Sequence, residues 1–161
     1  MKIFFSILLA LGLLFSSYAY ALDNSFVNIR SKIFEESKEI KALLTTSKDA
    51  VLLSSMWDSC IMTIRELDAY FYMLGIFNTI KERDLSEDAV IFLSRWLSEI
   101  KAGGELNIRI LTESAYPTEG QAAIHIARLK NYLGELNKKI DSELNKISLL
   151  REAIKRKTKP R

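Results

Sequence analysis

Apolar residues recur along the chain in alternating steps of four and three, most regularly in Leu53, Trp57, Cys60, Ile64, Leu67, Phe71 and Leu74. That spacing keeps side chains on one stripe of an α-helix. Met56, Tyr70 and Phe77 widen the stripe on one flank and Ile61 on the other. So wide a coiled-coil-like stripe suits a multi-helix core rather than a two-stranded seam. The stretch from Ser47 to Arg83 has no proline and a single glycine, Gly75. A central helix of roughly 50 Å is expected there, at ~1.5 Å per residue.

The same periodicity places three more helices. The first begins near Asp23, Asn24 or Ser25, all good N-caps, and runs to Thr45-Thr46 with Phe26, Ile29, Ile33, Ile40 and Leu44 on one face. The third opens at Leu85-Ser86-Glu87-Asp88, where Ser86 can cap and the two acids favour the positive end of the helix dipole. Val90, Leu93, Leu97, Ile100, Gly104, Asn107 and Leu111 carry its stripe, with Trp96 and Ile110 beside it. The pattern resumes in phase beyond Gly103-Gly104, so one helix to about Glu113 is expected, with the glycines admitting a neighbouring backbone or bulky ring. Ser114 to Gly120 reads as a linker whose Pro117 can open the last helix. That helix carries Ala122, Ile126, Leu129, Leu133, Leu136, Ile140, Leu144, Ile147, Leu150 and Ile154 near one face and Asn131, Asn137, Lys138, Lys139, Asp141, Ser142 and Lys146 mostly on the other. Short links make sequential helices antiparallel neighbours. The expected fold is therefore all-α, an antiparallel up-down-up-down four-helix bundle with long helices, preceded by a signal peptide.

The signal peptide is residues 1–21. Lys2 gives a positive start, Ile3 to Phe15 is almost wholly apolar, and Ala19-Tyr20-Ala21 is a small-x-small cleavage pattern. An uncleaved anchor is the competing reading, because residues 3–22 carry no charge. Cleavage is expected, leaving no transmembrane segment, a bundle domain over 22–155, a short basic tail over 156–161, and a periplasmic or secreted location. Export makes the lone cysteine informative. Cys60 has no intramolecular partner, so the core alone must hold the fold, and on the central stripe it is expected to be a buried hydrophobe rather than a reactive thiol.

Charge changes the picture only at the end of the chain. The formal net charge is +3, and removing Lys2 leaves +2. Arg151, Lys155, Arg156, Lys157, Lys159 and Arg161 against Glu152 give the last eleven residues +5, which leaves the body at −3. A mildly acidic body is not a nucleic-acid-binding profile. The tail suits peripheral contact with anionic lipid, or simply a solvated end.

Candidate chemistry is sparse. His125 is the only histidine, and Ala122 stands where a Glu-x-x-His bundle motif would place its carboxylate. A half-exposed surface histidine is expected. A small-molecule or haem-binding periplasmic bundle is a second reading, with haem held by His125 and Met56, Met62 or Met73 and no covalent attachment motif. Glu35/Glu36, Glu87/Asp88 and Asp141/Glu143 are paired carboxylates on polar faces, and no phosphate-binding glycine motif is present. No metal or cofactor is expected, and an enzyme whose site the residues do not identify is a further alternative.

One stretch departs from the amphipathic rule. The back of the central helix carries Met62, Ala69, Tyr72, Met73 and Ile76, making Ala69 to Phe77 apolar all round. A helix apolar on every side is expected to be buried on every side. The alternative is a partner surface of Met62, Tyr72, Met73 and Ile76. The expected function is a non-enzymatic exported protein that binds a protein partner, or itself, through its central helix.

Overall fold

The computed structural model describes residues 24–80, 86–113 and 120–158. Among them are four helices and no strand: α1 Asn24–Leu43, α2 Ala50–Thr79, α3 Glu87–Glu113 and α4 Gln121–Thr158. The leader with its cleavage pattern, the corner at Lys81–Asp84, Pro117 and the last three residues lie outside the described residues.

The helix ends show which local chemistry prevails. The amides of Thr46 and Ser47 both donate to the Leu43 carbonyl, ending α1 before Thr45. Ser47 does not open α2; its hydroxyl accepts the Asp49 amide in a turn, and the first α2 bond runs from Leu53 N to Asp49 O. Ser86 does cap α3, accepting the Ala89 amide at 3.2 Å. α3 continues through Gly103 and Gly104. A Cβ on Gly104 would lie 2.7 Å from Asn137 Oδ1, whereas one on Gly103 meets nothing within 4 Å. The close neighbour is thus a side-chain amide, neither a backbone nor a ring, and only one of the two glycines is required. α4 reaches Thr158, so the basic tail begins as its last helical turn.

α1 packs on α2 and α4, α3 packs on α2 and α4, and the α3–α4 seam is the most extensive. Leu53, Met56, Cys60, Ile64, Leu67, Tyr70 and Leu74 carry α2 into the shared core, while Trp57 and Phe71 are half-buried at its edges. The core stripe is thus rotated toward Met56 and Tyr70, which the spacing had placed on the flank. Phe26 of α1 packs its ring 5.8 Å from that of Tyr70. Early residues of one helix meet late residues of the next along three seams: Arg30 grips Asp68 through two 2.8 Å bonds, Ser59 donates to Asn107, and Arg151 bonds Glu87. Exposed pairs of this kind add little stability; they set register.

Four polar residues assigned to outer or half-exposed positions are in fact buried: Glu36, His125, Asn137 and Glu143. Helical periodicity fixes which residues share a face, but the width of the covered sector depends on where neighbouring helices lie. Glu143 keeps a partner at the edge, Lys146, 2.9 Å away.

Candidate functional site

α2 packs substantially on α1 and α3, which leaves its outer side open. Met62 is 61 % exposed, Tyr72 74 % and Ile76 47 %. The expected burial of the all-apolar stretch is overturned at Tyr72 and Ile76, and Met62 ahead of it is open as well, although Tyr70 and Leu74 are buried as the core stripe requires. Met73 packs partly against the core, and Ala69 is also half-buried. At 100° per residue, positions 62, 69, 73 and 76 fall in one sector of the helix, with Tyr72 on its edge; Met62 and Ile76 are ~21 Å apart along the axis. The candidate surface is therefore an apolar patch of Ala69, Tyr72 and Ile76 with Met73 as its inner wall, and Met62 lies in line with it beyond Arg65 and Glu66.

Two aromatic side chains of α3 stand beside α2. Trp96 donates its Nε1 proton to the Glu66 carbonyl oxygen at 3.4 Å, which seats the indole against α2. Phe92, half exposed, lies with its ring 6.3 Å from that of Trp96. Phe92 was missed from the sequence because it lies off the Val90–Leu93–Leu97 stripe; its place one turn before Trp96 was the available signal. Below the stripe, burial and then the neighbouring charge of Glu99 push the Glu66 carboxyl up from its ordinary value.

The second region lies inside, between α1 and α4. His125 Nδ1 and Glu36 Oε1 are 2.6 Å apart, in a pair whose side chains are almost completely buried. With the carboxylate ionised, Nδ1 carries the proton and donates it. One turn further along each helix, Arg128 donates to Glu39 at 2.7 Å, with Glu36 Oε2 3.7 Å from the same nitrogen. The charge of Glu36, followed by the Glu39 hydrogen bond, raises the Arg128 guanidinium above its ordinary value. A cleft of about 290 Å³ between Lys32, Glu36, Glu39, Arg128 and Tyr132 opens onto this network.

Two sequence expectations change here. His125 is no surface histidine, and Glu36 is no surface carboxylate. Both could have been suspected from spacing: Glu36 and Ser37 hold the core position between Ile33 and Ile40, and His125 falls three residues after Ala122 and four before Leu129. Cys60 behaves as expected. It is fully buried, and desolvation, with a further contribution from the charge of Glu36, pushes its thiol up to about 12. A thiol held protonated at neutral pH is not a nucleophile. Of the methionines weighed beside His125, Met62 is on the open side of α2 while His125 faces α1.

Among the described residues, no helix is long and apolar enough to cross a membrane. No family model, curated protein or solved structure matches the chain.

Proposed function

We propose that the chain is an exported, non-enzymatic binding protein that engages a protein partner through the outer stripe of α2. One observation carries this reading: Met62, Tyr72 and Ile76 stand exposed on the outer side of α2, the side turned away from its core stripe. Exposed apolar patches mark interaction sites, and aromatic and methionine side chains are enriched at interface cores. The scaffold we propose is an up-down-up-down bundle, which the early-to-late pairings across three seams support. The apolar leader and Ala19-Tyr20-Ala21 support cleavage after Ala21 and a periplasmic or secreted location. The basic end of α4 can add peripheral contact with anionic lipid.

The test uses residues that are open in the fold. Tyr72→Glu with Ile76→Glu leaves helical content and melting temperature nearly unchanged, because surface substitutions shift stability by about 0.5 kcal/mol or less. Met73 is left intact, since a carboxylate there would press on the core. A photo-crosslinking residue at 62, 72 or 76 captures the same partner from the cell envelope, and one at exposed Glu105 does not. The double variant abolishes that capture. Sedimentation of the purified protein distinguishes a second copy from a different protein. Intact binding by the double variant overturns the reading, as does capture from position 105 equal to that from 72.

A further inference from the structure

We propose that Glu36, Glu39 and His125 form a site for a divalent transition-metal ion of the zinc class, and that Arg128 is the displaceable cation holding that place in the metal-free protein. Each of the three side chains offers one donor atom, and the three atoms lie within 4.8 Å of one another. An imidazole with two carboxylates is a donor set that zinc accepts. Calcium and magnesium prefer shells made of oxygen alone, so the imidazole selects against them.

The scaffold favours the arrangement. Glu36 and Glu39 are one turn apart on α1 and so share a side of the helix; His125 faces them from α4. Glu36 and His125 are positioned by burial, with their side chains only 2 % and 4 % exposed; an entering ion replaces the proton they share, which leaves to water as the two ligand atoms separate from their 2.6 Å hydrogen bond. Glu39, at the exposed mouth, is held by Arg128 alone among the described residues and moves with it. The cleft reaches Glu36 and Glu39, with His125 buried behind Glu36, so an ion enters from the carboxylate side and water can complete the shell there.

Arg128 explains how two carboxylates coexist beside an imidazole without metal. Its guanidinium is held by Glu39, yet stays 3.7 Å from Glu36 Oε2, beyond hydrogen-bond length. Its side chain is 46 % exposed, so it can turn into water without opening the core. Metal and guanidinium thus compete for the same two carboxylates. Removing the guanidinium must strengthen metal binding, an effect opposite in sign to ordinary site damage.

Tag-free protein is titrated with Zn²⁺ against a chromophoric chelator, and with Co²⁺ followed by its visible bands. Wild-type protein binds one ion per chain. Arg128→Gln binds at least tenfold more tightly, and adding Glu39→Gln to that variant reverses the gain by at least tenfold. Both positions are open, and circular dichroism checks that both variants fold. Because the chain has a single histidine, the ring ¹⁵N resonances of His125 report ligation directly and shift on Zn²⁺ addition. Affinity unchanged by Arg128→Gln, affinity unaffected by Glu39→Gln, unshifted His125 resonances, or no saturable binding would each overturn the site.

Discussion

The α1–α4 seam and the outer side of α2 depart from the ordinary amphipathic layout in opposite directions. The seam hides a carboxylate and an imidazole that water would stabilise. The outer side of α2 displays methionine, tyrosine and isoleucine that water disfavours. Each departure has its own physical cost. Buried polar groups are tolerated when paired, and Glu36 and His125 pair with each other. Exposed apolar groups lose only their chance of burial, so they persist without any compensating contact inside the chain. An inward polar pair must therefore be satisfied within the fold, while an outward apolar stripe can be satisfied only by something else.

Tyr70 and Tyr72 break this comparison most sharply, being two residues apart and on opposite sides of α2. Tyr70 is fully buried against Phe26 and Phe71, so Tyr70→Ala costs about 3–5 kcal/mol in urea unfolding, in line with large aromatic deletions. Tyr72→Ala stays within about 0.5 kcal/mol. Equal losses at the two positions would mean that the stripe is covered within the chain.

The polar pair inside comes next. His125→Leu takes away the only hydrogen bond that the buried Glu36 carboxylate makes among the described residues, leaving it the more distant Arg128, and costs about 3 kcal/mol, whereas Glu36→Leu with His125→Leu recovers most of that loss. A double-mutant cycle measures the coupling. Additive losses would show that the two side chains act independently.

The two glycines of α3 test the same distinction between covered and open helix faces. Gly104→Ala drives a methyl into the buried Asn137 amide and lowers stability by about 1–2 kcal/mol. Gly103→Ala meets open space and raises it by up to about 1 kcal/mol through helix propensity. Chemical denaturation of both variants gives opposite signs if the α3–α4 seam is placed correctly.

The smallest effect is that of Glu66, at the border of the outer stripe. Its folded-state carboxyl lies above its ordinary value, chiefly through burial, so the fold disfavours the charged form. The cost is absent below the ordinary carboxylate range and complete once pH exceeds the raised value. Glu66→Gln therefore raises the melting temperature at neutral pH, and the gain disappears below about pH 4. A gain that persists in acid would assign the effect to something other than charge.

Local chemistry determined much of this protein without any tertiary information. The four-three spacing located all four helices, Ser86 marked the start of α3, and resumption of the pattern in phase showed that Gly103-Gly104 does not break it. These features depend on i, i+3 and i+4 neighbours along a single helix, which the order of residues specifies directly. The spacing also put Cys60 in the core and drew attention to Met62, Tyr72, Met73 and Ile76.

Tertiary structure decided everything that depends on where one helix stands relative to another. The same spacing that placed Tyr72 opposite the core could not tell whether a neighbouring helix would cover it, and none does among the described residues. Glu36 interrupts an apolar stripe in the sequence, but only the approach of α4 turns that interruption into a bond with His125, eighty-nine residues away. Asn137 gives Gly104 its purpose in the same way. Periodicity fixes angles around one helix axis, whereas burial and pairing are set by the distances between axes, which depend on the packing of all the side chains together.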